Sequence, residues 1–252
     1  MQRLTLNMVP QWTADAAPDA FARLTAAIGP HLQGALMESI DSRYAAHLHT
    51  LPFNPYSQYC LCDARSEQLT WHINALTDQA AEYILAPLEK RNSIKLKHGG
   101  VTLNVAAKTT SELALSTLTS QLHDDPERKT HIQVLTPAAF KQSGSYRHVP
   151  STRMLFQNLI MHYSAVFDND KEVDPDTVDY IEQHTDITAF NIRSRYFQPA
   201  AGRKIPGFVG KLTIHARGPQ TLTGFVRMLL RFGEYAGLGI KTSMGMGGMQ
   251  LI

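Results

Sequence analysis

The chain has 252 residues, of which 43% are hydrophobic and 18% charged, and its formal net charge is +2. That length suits one large domain or two small ones, each with a full core. No apolar run approaches the roughly 20 residues of a membrane span, and the opening Met1-Gln-Arg-Leu-Thr-Leu-Asn7 lacks the apolar stretch of a secretory signal, so no membrane association is expected.

Residues 4–9 alternate polar and apolar side chains, as a half-buried strand does. From about 19 to 47 the pattern is helical, with Gly29-Pro30 expected to interrupt it. Residues 56–63 and 69–76 alternate again, as two strands around the polar turn 64–68. The two cysteines, Cys60 and Cys62, fall on the first of these and face one side of it. They read as reduced thiols of a cytoplasmic protein, and no second pair exists to complete a zinc site, so neither metal nor cofactor is expected. Thr77 or Asp78 can cap a helix running to about Lys90. Residues 101–107 and 113–118 read as strands.

The polar, proline-containing stretch 122–130 reads as a linker near the midpoint. Beyond it come a strand at 131–136 and a helix capped by Ser151 or Thr152 that runs through Phe167. Strands at 188–197 and 208–216 follow. A helix started by Thr221 or Thr223 ends near Tyr235, and a last strand occupies 247–252. Each half thus reads strand, helix, strand, strand, helix, strand. The expected fold class is α+β, with two tandem ferredoxin-like βαββαβ domains over 1–121 and 130–252. RNA-recognition folds share this topology, but their aromatic signature sequences are missing, and topology alone does not establish RNA binding.

Charge is unevenly spread. Up to residue 125 there are nine Lys and Arg against twelve Asp and Glu; beyond it, fifteen against ten. Residues 191–252 hold nine basic side chains and one acid, Glu234. A basic surface of this kind favours a polyanionic partner. It ends in a glycine loop, where Gly237, Gly239, Gly245, Gly247 and Gly248 surround Lys241, Thr242 and Ser243. Such density implies a backbone that bends tightly or approaches something closely, and uncovered N–H groups beside a lysine and two hydroxyls can cradle phosphate. Two familiar phosphate loops are excluded. Ile240 separates Gly239 from Lys241, which breaks a Walker loop, and Thr242 stands where a dinucleotide fingerprint needs its third glycine.

Gly237-Leu-Gly239 and Gly245-Met-Gly247 on either side of Lys241, the duplicated halves, and Leu48-His49 followed by Pro52-Phe53 and a serine carry a family resemblance. Weaker matches run through Leu135-Thr-Pro137, Ser143-Gly-Ser-Tyr146, Phe156-Gln-Asn-Leu159 and Gly207-Phe-Val-Gly210. Over nearly its whole length the chain resembles the CRISPR-associated endoribonucleases that process precursor CRISPR RNA, within the superfamily of repeat-associated mysterious proteins. The resemblance implies metal-independent cleavage of repeat RNA, in which a 2′-hydroxyl attacks in line and leaves a 2′,3′-cyclic phosphate and a 5′-hydroxyl. That chemistry needs a base, an acid, and cations or donors for the charged phosphorane.

The family's catalytic histidine falls on His49, and histidine suits either proton role near neutral pH. The helix-end position, the following proline-rich loop and the neighbouring His47 point to His49 without the resemblance. His47 is the next candidate, although two residues of spacing send the two rings to different sides if the helix continues. Twelve residues before His49, where some members carry tyrosine, this chain has Met37; Pro52 stands near the place of a lysine that some members have. Tyr44, Arg43 and Lys241 are the groups that could substitute. Lys241, Thr242 and Ser243, with Gly237, Gly239, Gly245 and Gly247 shaping their loop, are the expected phosphate contacts. Arg193, Arg195, Arg203, Lys204, Arg227 and Arg231 are candidates for gripping the RNA stem or flank, and Arg227 and Arg231 can share a helix face. The implied partner is CRISPR repeat RNA; a larger CRISPR effector complex and a homodimer are compatible with it. Two other readings stand beside this one: a non-catalytic RNA-binding subunit of a CRISPR ribonucleoprotein, favoured by the missing tyrosine and lysine, and a small-molecule enzyme holding a nucleotide in the glycine loop.

Overall fold

The structure, a computed structural model, describes residues 1–13, 17–97, 100–120, 122, 127–168, 173–199 and 202–252. In the first half, β1 (Gln2–Trp12), β2 (Tyr56–Asp63), β3 (Gln68–Ala75), β4 (Ser93–Lys95) and β5 (Val101–Glu112) form one antiparallel sheet in the order β2-β3-β1-β5-β4. The expected long helix is three pieces, Ala20–Ala26, Ile28–Ser39 and Ser42–Thr50. Its breaks fall at Ala27 and at Ile40-Asp41, with Gly29-Pro30 in the first turn of the middle piece. Asp41 starts the third piece by accepting the N–H groups of Arg43 and Tyr44. The Thr77 hydroxyl accepts from Ala80 N and caps Asp78–Ala80, which continues through a π-helical turn, Ala81–Leu85, into Ala86–Glu89. Leu4, Leu6, Leu32, Leu36, Trp71 and Ile73 are buried where these helices cover the sheet.

The second half repeats the plan. Strands β6 (Lys129–Ala138), β9 (Thr185–Phe197), β10 (Ile205–Ala216) and β11 (Met249–Leu251) form a sheet in the order β11-β6-β10-β9, and β7 (Phe140–Gln142) and β8 (Ser145–Arg147) make a separate hairpin. Ser151 caps the helix Thr152–Tyr163 by accepting from Met154 N, and the coil widens through Ser164–Asp168. Helices Pro175–His184 and Gln220–Ala236 complete the layer. Phe156, Leu159, Phe232, Leu229, Ile132 and Leu212 sit in its core. The fold is thus α+β with two tandem ferredoxin-like units. Residues 123–126 of the expected linker lie outside the described residues.

One expected element is corrected. Residues 113–118 are not a strand: Leu115–Ser120 is helical, and the strand before it runs to Glu112. Polar Lys108-Thr-Thr-Ser111 hides this extension, because β5 follows β1 from Trp12↔Val101 to Gln2↔Glu112 through backbone pairing that requires no apolar side chain. Strand β4, the β7–β8 hairpin and the helix Pro175–His184 had no counterpart among the expected elements.

Candidate functional site

The helix Gln220–Ala236 ends at Gly237, and from there to Gly248 the chain is buried except at Ile240, Lys241 and Met244. A side chain at Gly239 would run into the Ala139 carbonyl, and one at Gly247 into the Leu238 carbonyl; both glycines have positive φ. Their N–H groups are already used. Gly239 N donates to Asn158 Oδ1 (2.7 Å), Gly247 N to Pro137 O (3.0 Å), Gly248 N to Thr136 Oγ1 (2.8 Å) and Gly237 N to Gly233 O (2.9 Å). The glycines therefore shape the turn, and the expected phosphate cradle narrows to Lys241, Thr242 and Ser243. Among the described residues, the N–H groups of these three have no acceptor. Lys241 is exposed, with left-handed backbone (φ 56°).

Strand β2 clamps this turn to the first half. Gln58 Nε2 donates to Ser243 O (3.2 Å) and Gly29 O (3.0 Å), and its Oε1 accepts the Trp71 indole N–H (2.7 Å). Beside it, the Ser57 hydroxyl donates to Tyr235 O and accepts from Asn74 Nδ2 (2.8 Å). Asn74 Oδ1 accepts from Arg3 Nε (2.6 Å), and the Arg3 guanidinium also donates to Glu234 O and lies 4.7 Å from the centre of the Tyr235 ring. At Gly29 the two backbones approach so closely that a side chain would strike Met244 O. Burial pushes the Tyr56 phenol up to about 12, only partly offset by Gln33 and Ser243, so it stays protonated beneath the turn.

A cleft of about 860 Å³ opens where the halves meet. Its walls are Pro52, Phe53 and Asn54 from the first half, Lys141, Gln142 and Ser143 from the β7–β8 hairpin, one face of the Thr152–Tyr163 helix, and the turn Gly239–Met244. Asn54 Nδ2 donates to Ser243 Oγ across it (3.3 Å). His49 is exposed on the last turn of its helix. It precedes Pro52 by three residues, so their Cα atoms are at most about 11 Å apart. The helix continues through Thr50, which turns His47 about 200° from His49. His47 instead borders a separate groove with Asp41, Arg43, Tyr44 and Tyr83. Tyr44 is buried and stacked on Tyr83 (centroids 4.7 Å apart), and its hydroxyl reaches neither solvent nor a hydrogen-bond partner among the described residues. Burial, then Tyr83, raises its pKa. Tyr44 and Leu48, four apart, face the core, so Tyr44 offers substrate no hydroxyl in this structure. Met37 packs half-buried against the same core.

Two residues here went unassigned in the sequence reading. Asn158 holds Gly239 from both sides: besides accepting its N–H, the amide donates to its carbonyl (3.5 Å). His162 is buried against the edge of Phe53 (centroids 4.8 Å apart), and burial pulls its pKa down to about 4, so it is neutral. Its spacing from Leu155 and Leu159 on one helix face was the available signal.

The basic residues separate into groups. Arg193 and Arg195 are exposed on β9 and line a second groove of about 550 Å³, whose opposite wall is the segment from Ala22 to Pro30 and which reaches Gly245. Arg203 and Lys204 are exposed in the β9–β10 connection. Arg227 and Arg231 are half-buried on the Gln220–Ala236 helix. Arg231 is tied to Glu234 (2.5 Å), whose other oxygen accepts Leu251 N (2.9 Å), so it fastens helix to strand. Among the described residues no three His, Cys, Asp or Glu side chains are grouped to hold a metal ion.

The family model of the CRISPR-associated endoribonuclease Cas6 matches residues 132–249. Across 254 residues the chain is 39% identical to the CRISPR-associated endoribonuclease Cas6 of Mycobacterium tuberculosis, an alignment spanning 100% of this chain and 78% of that protein. The chain belongs to the Cas6 family. The Streptococcus thermophilus Cas6 is 36% identical over 220 residues, covering 86% of this chain and 88% of its own. A solved Cas6 product complex superimposes with a TM-score of 0.74 at 20% identity, over 100% of this chain and 98% of that one. Thermus thermophilus Cas6 gives 0.66 at 20% identity with the same coverage. Membership of an endoribonuclease family sets aside the reading of the glycine loop as a small-molecule nucleotide site.

Proposed function

We propose that this Cas6 chain cuts precursor CRISPR RNA within its repeats, with His49 moving the proton and the Lys241–Ser243 turn holding the scissile phosphate. One observation carries the reading: the loop that follows His49 is bonded to that turn through Asn54 and Ser243, and both wall one cleft. The 2′-hydroxyl upstream of the phosphate attacks in line, and the 5′-oxygen leaves. The imidazole takes the hydroxyl proton or supplies the leaving group's. Lys241 and the unpaired N–H groups of the turn stabilise the phosphorane charge, without a metal ion. The products are a 2′,3′-cyclic phosphate and a 5′-hydroxyl. The histidine belongs to a first unit at 1–121, and the turn and the basic surface to a second at 130–252. Arg193, Arg195, Arg203 and Lys204 track the RNA backbone. The work is cytoplasmic, where the free thiols Cys60 and Cys62 persist. The product passes to a larger CRISPR effector complex, and a homodimer would pair two such clefts.

The sealed Tyr44 hydroxyl and Met37 favour a second reading, a Cas6 chain that binds repeat RNA without cutting it. His49→Ala separates the two. In EDTA the substitution should lower single-turnover cleavage by about 10²–10⁴-fold and leave RNA affinity within a few-fold. Cleavage that survives it, or stops on chelation, would falsify the mechanism. A parent protein that binds repeat RNA and never cuts it supports the second reading.

A further inference from the structure

The wall of the cleft also carries side chains that phosphate binding does not use. Gln33, Gln142 and Gln157 all line it; half-buried Gln33 is hydrogen-bonded to the Tyr56 phenol, whereas exposed Gln142 and Gln157 have no hydrogen-bond partner among the described residues. The neighbouring amides differ: Asn54 is bonded to Ser243 and Asn158 to Gly239. Half-buried Met154 and Met161 line the same cleft. The one guanidinium in the cleft, Arg153, is taken by Asp179 (2.5 Å) and Glu182 (2.7 Å).

We infer that this wall reads an unpaired nucleobase of the RNA next to the cleaved phosphate. A carboxamide presents a donor and an acceptor side by side, which matches the edge of a base and adds little to holding a phosphate. Splayed bases of single-stranded RNA are recognised in this way, on apolar floors with polar edges. The cleft, about 860 Å³, lies within the roughly 300–1,000 Å³ that small-molecule sites occupy, enough for a nucleotide's base beside its phosphate. Lys141 and Lys241, which also line the cleft, position the strand without discriminating sequence, and Gln142 and Gln157 supply the discrimination.

The inference rests on the placement of the scissile phosphate at the turn, and its test separates the two. Repeat RNAs carrying each of the four bases at the positions flanking the cut are compared in single-turnover cleavage. Their binding is compared in parallel, using the same RNAs with one 2′-deoxyribose at the cut so that they stay intact. The parent should prefer one base by about tenfold or more at one flanking position. Gln142→Ala or Gln157→Ala should bring that ratio to within about twofold, at unchanged melting temperature. If RNA is cut but no flanking base matters, or if the preference survives both substitutions, the base-reading wall is refuted while the nuclease reading stands. If nothing is cut but the binding preference exists and disappears in a glutamine variant, the wall stands and the catalytic reading falls.

Discussion

Replacing Gln58 by methionine tests the clamp that joins the turn to the first half. The side chain is nearly equal in volume, but three hydrogen bonds vanish together. The Trp71 indole N–H is left fully buried without an acceptor, which costs about 1–3 kcal/mol. The carbonyls of Gly29 and Ser243 each lose a donor, at roughly 0.5–1.5 kcal/mol apiece. The sum is about 2–6 kcal/mol, and at roughly 2–4 °C per kcal/mol for a chain of this size the melting temperature should fall by about 4–24 °C. Circular dichroism or dye-based melting reads this directly. Cleavage at a temperature where both proteins are folded should fall more than RNA affinity, because the Ser243 carbonyl loses its tie to the half that carries His49, leaving the Asn54 bond to its hydroxyl. A Gln58→Met protein that melts within about 2 °C of the parent and cuts at the parent rate would refute the clamp.

Gly247→Ala adds a methyl group against the Leu238 carbonyl at a φ of +69° and should lower stability by more than the roughly 1–2 kcal/mol of the left-handed backbone alone; denaturant titration checks it. Lys241→Ala should weaken RNA binding about equally for all repeat sequences and reduce the slope of log K against log salt by about 1, whereas Arg231→Ala should leave that slope alone and lower the melting temperature instead. Burial holds both His72 and His162 near a pKa of about 4. The unfolded chain therefore takes up protons below about pH 6.5 that the folded chain refuses, and stability should fall with pH from there toward 4, by about 1 kcal/mol per pH unit per histidine. Melting temperature against pH reads this, and His162→Leu should flatten the slope; a slope equal to the parent's would show that His162 is not buried neutral.

Local chemistry made much of this architecture legible. Strand β2 lies where alternation placed it, and of the paired cap candidates Thr77 or Asp78 and Ser151 or Thr152, Thr77 and Ser151 are the caps. What stayed hidden depends on partners distant in the chain. Residues 108–112 are polar and become strand only because β1 lies beside them. The glycine loop announced a close approach of backbone, but not of what: the neighbours are the carbonyls of Ala139 and Leu238. Tyr44 resembled a catalytic substitute by chemistry, while its four-residue spacing to Leu48 already placed it on the buried face. The contact that links the His49 loop to the turn spans 189 residues, from Asn54 to Ser243, and neither end carries a local signature of it.

The most direct measurement uses repeat RNA in which only the ribose upstream of the mapped cut is 2′-deoxy. It is followed in EDTA beside the all-ribose RNA, with the 3′ ends identified by mass. The expected result is a 2′,3′-cyclic phosphate from the ribose RNA, and a deoxy RNA bound as tightly and left whole. Cutting of the deoxy RNA, or a 3′-hydroxyl on the upstream fragment at the cut, would contradict attack by the 2′-hydroxyl and with it the role given to His49.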